Sequence, residues 1–159
     1  SFTLPWPKSA YRYEIFDNPA SLLWVAEVDS GLGSKIVGMI VVWVILDEAH
    51  IATIAVHPDY RGQGIGESLL LTALEGGLDK GAGHAMLEVR AGNQRARQLY
   101  QSFGFEIVGR RPKYYRDNQE DAVLMNLEDL DRAKIEGLKG HLRDSTPNKE
   151  SGSSSISCG

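Results

Sequence analysis

Cysteine is all but missing: Cys158 is the only one in 159 residues. No disulfide can close within the chain, which fits a reducing compartment, and no cysteine-based zinc motif or Cys/His nucleophile pair is available. Positive charge is not in excess either. Lys and Arg number 17 against 21 Asp and Glu, a formal net charge of −4. That balance excludes wholesale nucleic-acid binding, which needs a basic stripe to displace counterions from phosphate. A mildly acidic surface instead tolerates or attracts basic peptides. The longest apolar run, Ile36 to Leu46, is too short to span a bilayer and is interrupted by Gly38. With no signal peptide recognisable, the expected setting is cytoplasmic, with no membrane partner. His50, His57, His84 and His141 are scattered without metal-ligand spacing, so no metal is expected.

What is present is the composition of one globular domain, with 42% hydrophobic and 24% charged residues, enough for a packed core. The chain opens on Ser1 without an initiating methionine, as a processed or truncated piece would. Lys8 to Phe16 reads as a short helix stopped by Asp17-Asn18-Pro19. Leu22 to Val28 and Ile36 to Leu46, rich in Val, Ile and Trp, form a hairpin about Asp29 to Ser34. A turn at Asp47-Glu48 leads to a third strand, Ile51 to Val56, closed by His57-Pro58. Ile65 to Leu78 has helical periodicity, weakened by Gly76-Gly77 and stopped by Gly81. Ala85 to Ala91 is a strand, and Asn93 caps a helix over Gln94 to Phe103. Phe105 to Val108 and Ala122 to Leu127 are strands joined by a loop that holds Arg110 to Tyr115. Glu128 to Leu142 is a charged terminal helix, and 143–159 has the composition of a disordered tail. Hairpins require antiparallel neighbours and the strand-helix-strand step a parallel one, so an α/β chain with a mixed sheet is expected.

The most informative stretch is Val56-His57-Pro58-Asp59-Tyr60-Arg61-Gly62-Gln63-Gly64-Ile65-Gly66. A strand ends there, and alternate glycines lead into a helix. Amides of a first helical turn have no internal partner, and the helix dipole favours an anion. Glycines let a diphosphate approach the backbone without meeting a Cβ. A Walker loop is excluded because no lysine follows Gly66, and the dinucleotide fingerprint fails at Glu67. The glycines taken alone serve equally well to shape a tight corner. The pattern that does match is Arg-x-x-Gly-x-Gly at Arg61, Gly64 and Gly66, which resembles the acetyl-CoA motif of the GNAT acetyltransferase superfamily.

From Phe2 to about Leu127 the chain resembles ribosomal-protein alanine N-acetyltransferases of the RimI type. The resemblance rests on collinear segments: Phe2-Thr3-Leu4-Pro5-Trp6, Leu46-Asp47-Glu48-Ala49, Ile54 through Gly66, Leu87-Glu88-Val89-Arg90, Asn93, Leu99-Tyr100, Gly104-Phe105, Arg110-Arg111, Tyr114-Tyr115 and Glu120-Asp121-Ala122. It implies a GNAT domain over 1–127 with a mixed, mostly antiparallel sheet, a splayed parallel strand pair (Ile51–Val56 and Ala85–Ala91) and helices on both faces. The family's N-terminal strand and most of its first helix have no counterpart here. Acetyl-CoA is the implied co-substrate. Backbone groups of Ile54, Ala55 and Val56 would bond its pantetheine arm. Amides of Arg61, Gly62, Gln63, Gly64, Ile65, Gly66 and Glu67 would hold the diphosphate, and Asn93 would reach the pantetheine.

The resemblance also assigns roles. An attacking ammonium must lose a proton and a departing thiolate must gain one. Glu88 alternates with Met86 and Arg90 on a strand face; the family match makes it the proton acceptor, where otherwise it would be a solvated carboxylate or one paired with Arg90. Tyr100 shares a helical stripe with Ala96, Leu99 and Phe103. The match makes it the proton donor rather than a simple core residue, and a phenol of pKa about 10 stays protonated at neutral pH. His57, despite its reference pKa of about 6.5, precedes Pro58 on the loop and reads as structural. Tyr114 and Tyr115 lean towards substrate contact, while Trp6 divides evenly between substrate groove and core.

The implied activity is acetyl transfer to a protein's N-terminal α-amine, with a ribosomal protein beginning in alanine as the partner and the enzyme a monomer or weak dimer. A small-molecule amine or lysine side chain as acceptor, and a non-catalytic acyl-CoA-binding module, stay open.

Overall fold

The computed structural model describes residues 21–29, 31–115, 117, 119–145 and 157–158. The helix expected over Lys8–Phe16 lies outside them, as does Trp6. The elements run β1 (Ser21–Asp29), β2 (Ser34–Ile45), β3 (Glu48–Val56), a 3-10 turn (Pro58–Tyr60), α1 (Ile65–Asp79), β4 (His84–Arg90), α2 (Gln94–Ser102), β5 (Glu106–Tyr115), β6 (Glu120–Leu127), α3 (Arg132–Ser145) and β7 (Ser157–Cys158).

The strands form one sheet in the order β5-β6-β4-β3-β2-β1-β7. β3 and β4 pair in parallel, and every other neighbouring pair is antiparallel. The parallel ladder is short, running from Glu48↔His84 to Ile51↔Leu87 and no further. At that point the β2–β3 register shifts, with Val42 opposite Ile51 and Val41 opposite Thr53, which leaves Ala52 as an extra residue. A bulge bends its strand and increases the local twist. Beyond it, Thr53–Val56 no longer pairs with β4 while staying paired to β2. The fork in the sheet follows from this one inserted residue.

Ile65, Leu69, Leu70, Ala73 and Leu74 of α1 are buried against the sheet. Fully burying a leucine contributes roughly 1.5–3 kcal/mol, so this face holds the crossover in place. The helix sits close at Gly38 of β2, where an added Cβ would stand 3.0 Å from Leu69 Cδ1 and 3.2 Å from the Ala55 carbonyl. Side chains from α1, α2 and α3 join one core cluster with Ala85, Leu87 and Val89. The opposite sheet face carries a second cluster, in which Leu23, Val25, Trp43, Ala52 and Ala55 surround Met39 and Val41.

Three expected boundaries move. β3 begins at Glu48 rather than Ile51, because Leu46-Asp47 completes the hairpin with Leu46 at φ 57°. The stretch Arg110–Tyr115, expected as a loop, belongs to β5. Its register shifts between Arg111 and Tyr115 absorb Pro112, which cannot donate to a ladder, and Lys113, at φ 51°. α3 starts at Arg132 rather than Glu128: Asp129 stands at φ 55°, and Asp131 Oδ1 accepts the Lys134 amide at 2.8 Å. It continues to Ser145, and Ser157–Cys158 pairs with Ala26 and Glu27 on the β1 edge.

Candidate active site

β3 leaves the sheet at Val56, and His57 turns the chain. Its Nδ1 accepts the Asp59 amide at 3.0 Å, its own amide donates to Val37 at 2.7 Å, and its ring meets Tyr60 edge-on. These contacts give the buried imidazole a structural task. Arg61 Nε donates to the Val56 carbonyl at 3.3 Å, folding the loop back onto the strand end.

Gly62 and Gly64 then take φ of 78° and 85°, a region costly to residues with a Cβ. Gly64 is the N-cap of α1 and offers no side-chain cap. The first helical bond runs from Ser68 to the Gly64 carbonyl. The amides of Gly62, Gln63, Gly64, Ile65, Gly66 and Glu67 find no acceptor among the described residues. Such a row of donors at a helix N-terminus suits a phosphate. The Arg61 amide, by contrast, reaches back to the Pro58 carbonyl at 3.4 Å, so the available donors begin at Gly62.

These donors open onto a cavity of about 660 Å³ that fills the fork on the α1 and α2 side. Ile54, Ala55 and Val56 form one wall, and Arg61, Gly62, Gly64, Ile65, Gly66 and Glu67 the floor. Gln63 belongs to the loop but does not line the cavity. Asn93 and Tyr100 come from the far wall. Asn93 Oδ1 accepts the Ala96 amide at 3.1 Å and caps α2, which leaves its amino group to donate. Tyr100 is buried, its ring 5.8 Å from that of Phe105. The loop beneath Asn93 is tied to β6, since Gly92 donates its amide to Glu120 Oε2 at 2.5 Å. Arg90 joins this tie through Asp117 at 3.0 Å and Glu120 at 3.6 Å. The hydrogen bond to Asp117, outweighing partial desolvation, raises the Arg90 guanidinium above its usual range.

Glu88 sits on the other side of the fork. Leu87 and Val89 face the core, so Glu88 points to the opposite sheet face, one residue past the last parallel pair. Its Oε2 is buried without a hydrogen bond, and Arg111 Nη1 lies 3.5 Å away. The Arg111 guanidinium also stacks 5.4 Å from the Tyr114 ring, which is about half exposed. The backbone of Tyr115 pairs with Glu120. Tyr100 and Glu88 thus approach the fork from its two faces. Arg95, Gln98 and Ser102, which the sequence alone does not single out, complete the α2 wall beside Ala96 and Leu99. Their spacing along the helix carrying Asn93 and Tyr100 was the available signal.

Similarity to other proteins fits this geometry. The pattern of the acetyltransferase (GNAT) family matches residues 1–105. The chain belongs to the GNAT acetyltransferase family. Family members use acetyl-CoA as the acyl donor. A Bacillus subtilis (strain 168) protein with the provisional name [ribosomal protein bS18]-alanine N-acetyltransferase is 42% identical over 125 residues, 79% of this chain and 80% of that protein. The crystal structure of the ribosomal-protein-S18-alanine N-acetyltransferase from Escherichia coli matches with TM-score 0.66 and 33% identity, over 80% of this chain and 79% of that one. A crystal structure of the NatC complex bound to Gag peptide and CoA matches with TM-score 0.68 and 30% identity, over 80% of this chain and 83% of that one. This GNAT chain has no metal-holding group of His, Cys, Asp or Glu among its described residues, and no described helix is long and apolar enough to cross a membrane.

Proposed function

We propose that the chain transfers the acetyl group of acetyl-CoA to the N-terminal α-amine of a protein, with a ribosomal protein beginning in alanine as the first candidate. The observation that carries this reading is the fork: parallel pairing stops at Ile51 and Leu87, immediately before Glu88. The cofactor reaches the opening from the helix side, and an acceptor chain end reaches it from the side of Glu88 and Tyr114. The names of the similar B. subtilis and E. coli proteins, and the peptide held in the NatC structure, support an N-terminal acceptor.

The residues divide the work. The open edge of β3 along Ile54, Ala55 and Val56 holds the pantetheine as a neighbouring strand would, with Asn93 reaching it from the far wall. Amides from Gly62 to Glu67 hold the diphosphate. Bound acetyl-CoA supplies an activated thioester. Glu88 takes the proton of the incoming ammonium on its unbonded carboxylate oxygen, and the Tyr100 hydroxyl delivers a proton to the departing sulfur. Trp6, Tyr114 and Tyr115 contact the acceptor peptide. The setting is the cytoplasm, where a chain with one cysteine needs no oxidant.

Mass spectrometry of peptides incubated with protein and acetyl-CoA tests this. A peptide with an N-terminal alanine should gain one acetyl group at its α-amine. Acetylation of polyamines or lysine side chains with no reaction at a free α-amine would overturn the acceptor assignment.

A further inference from the structure

Among the described residues, the arginines with placed side chains are of two kinds. Arg90, Arg110, Arg111 and Arg132 each face a carboxylate at 2.8–3.6 Å. Arg61, Arg95 and Arg97 face none among the described residues. Shortage of partners is not the reason, because acidic residues outnumber Lys and Arg 21 to 17. Arg97 gives its Nη1 to the Ala91 carbonyl. Arg61 lines the cavity from its floor and Arg95 from the α2 wall.

Arg95 is also misplaced by the rules of helix electrostatics. It stands in the first turn of α2, which contains no acidic residue, although the positive end of the helix dipole favours one. From there its Nη2 reaches across to the glycine loop, 3.6 Å from where a Cβ of Gly62 would be. A cation at a helix N-terminus, exposed, facing no carboxylate among the described residues and aimed across an anion-ready loop, is placed to share an anion with that loop.

We propose that Arg95 is a cofactor-specificity residue, a charged clamp that closes on a phosphate of the acyl-CoA from the wall opposite the glycine loop. The inference rests on the reading of the cavity as the acetyl-CoA site and adds a contact that the loop amides do not supply. The chemistry it recognises is a phosphate ester, from either the diphosphate or the ribose 3′-phosphate.

Calorimetric titration of the full chain separates these cases. Arg95→Gln should weaken acetyl-CoA binding roughly 10- to 100-fold, as the loss of a charge-assisted hydrogen bond does. Arg95→Lys should recover part of it, and Lys80→Gln, an exposed control of equal charge change, should bind as wild type. S-acetyl-pantetheine, which has no phosphate, should bind wild type and Arg95→Gln alike. With dephospho-acetyl-CoA, a persisting loss assigns Arg95 to the diphosphate and a vanished loss assigns it to the 3′-phosphate; both uphold the clamp. Wild type that binds acetyl-CoA no better than Arg95→Gln overturns it, as does an equal loss for the phosphate-free thioester. Wild type that ignores acetyl-CoA altogether overturns the cavity reading itself, a different result.

Discussion

Arg111 holds its Nη1 3.5 Å from Oε2 of Glu88, a buried carboxylate oxygen that accepts no hydrogen bond. The guanidinium lies close to that oxygen without occupying its lone pairs. A buried acceptor left unbonded costs free energy, so it draws a donor such as an ammonium. Glu88→Gln keeps the shape and removes the base. Its turnover should fall about 10²- to 10⁴-fold, while acetyl-CoA affinity by calorimetry stays within about threefold because the cofactor wall is untouched. Tyr100→Phe should follow the same pattern. Turnover near wild type in both variants would remove the proton-transfer roles.

Gly64 separates backbone geometry from space. An added Cβ would meet nothing within 4 Å, yet the residue stands at φ 85°. Gly64→Ala should therefore lower stability by only about 1–2 kcal/mol, the cost of a left-handed alanine. The methyl group would project into the open cavity and the loop would relax, turning its amides away from one another. Acetyl-CoA affinity should fall about tenfold or more, a loss of at least about 1.4 kcal/mol. Unchanged affinity, measured by titration, would mean that the loop amides do not hold the ligand.

Much of this was legible because local signals and tertiary demands agree. The His57-Pro58 stop, the glycine run and the Asn93 cap mark the ends of β3, α1 and α2, and those ends line the cavity. The splayed pair came from the resemblance; its cause, the extra residue Ala52, leaves no mark in an apolar run where alternation cannot reveal a bulge. Arg110–Tyr115 reads as a loop because proline and lysine argue against a strand, whereas the register shifts there accommodate both. Spacing along the helix that carries Asn93 and Tyr100 points to its cavity side but does not say that Arg95 reaches the glycine loop. Gly76 was read as a weakness, and its reason lies on another strand.

That reason is Trp24. A Cβ at Gly76 would overlap the indole, while one at Gly77 would stand 3.1 Å from Ala49 Cβ. Helix propensity alone favours alanine over glycine by about 1 kcal/mol. Gly76→Ala should nevertheless destabilise by about 1–3 kcal/mol, since β1 or α1 must shift. Gly137→Ala in α3, where nothing lies within 4 Å, should stabilise by about 0.5–1 kcal/mol. Denaturant titration of the two variants checks the contrast, and a stabilised Gly76→Ala would show that Trp24 moves freely.

Glu75 ties α3 to α1. It accepts from Lys139 Nζ at 3.0 Å and from Arg132 Nη1 at 2.8 Å, while Arg132 Nη2 donates to Asp79 at 2.8 Å. The Lys139 hydrogen bond, opposed by slight burial and helped by Arg132, holds the Glu75 carboxyl below its usual value. A carboxyl lowered on folding binds fewer protons in the folded state than in the unfolded one. Its stabilising effect is present in full above the unfolded pKa of about 4.3 and disappears as pH falls through the lower folded value. Solvent screening keeps the effect modest, as for other surface pairs. Glu75→Gln should therefore melt a few degrees below wild type at pH 7 in low salt, and less far below it as salt rises. The gap should close as acid protonates the wild-type carboxylate. A gap that stays constant from pH 7 down to pH 3 would mean that Glu75 holds the helices by packing rather than by charge.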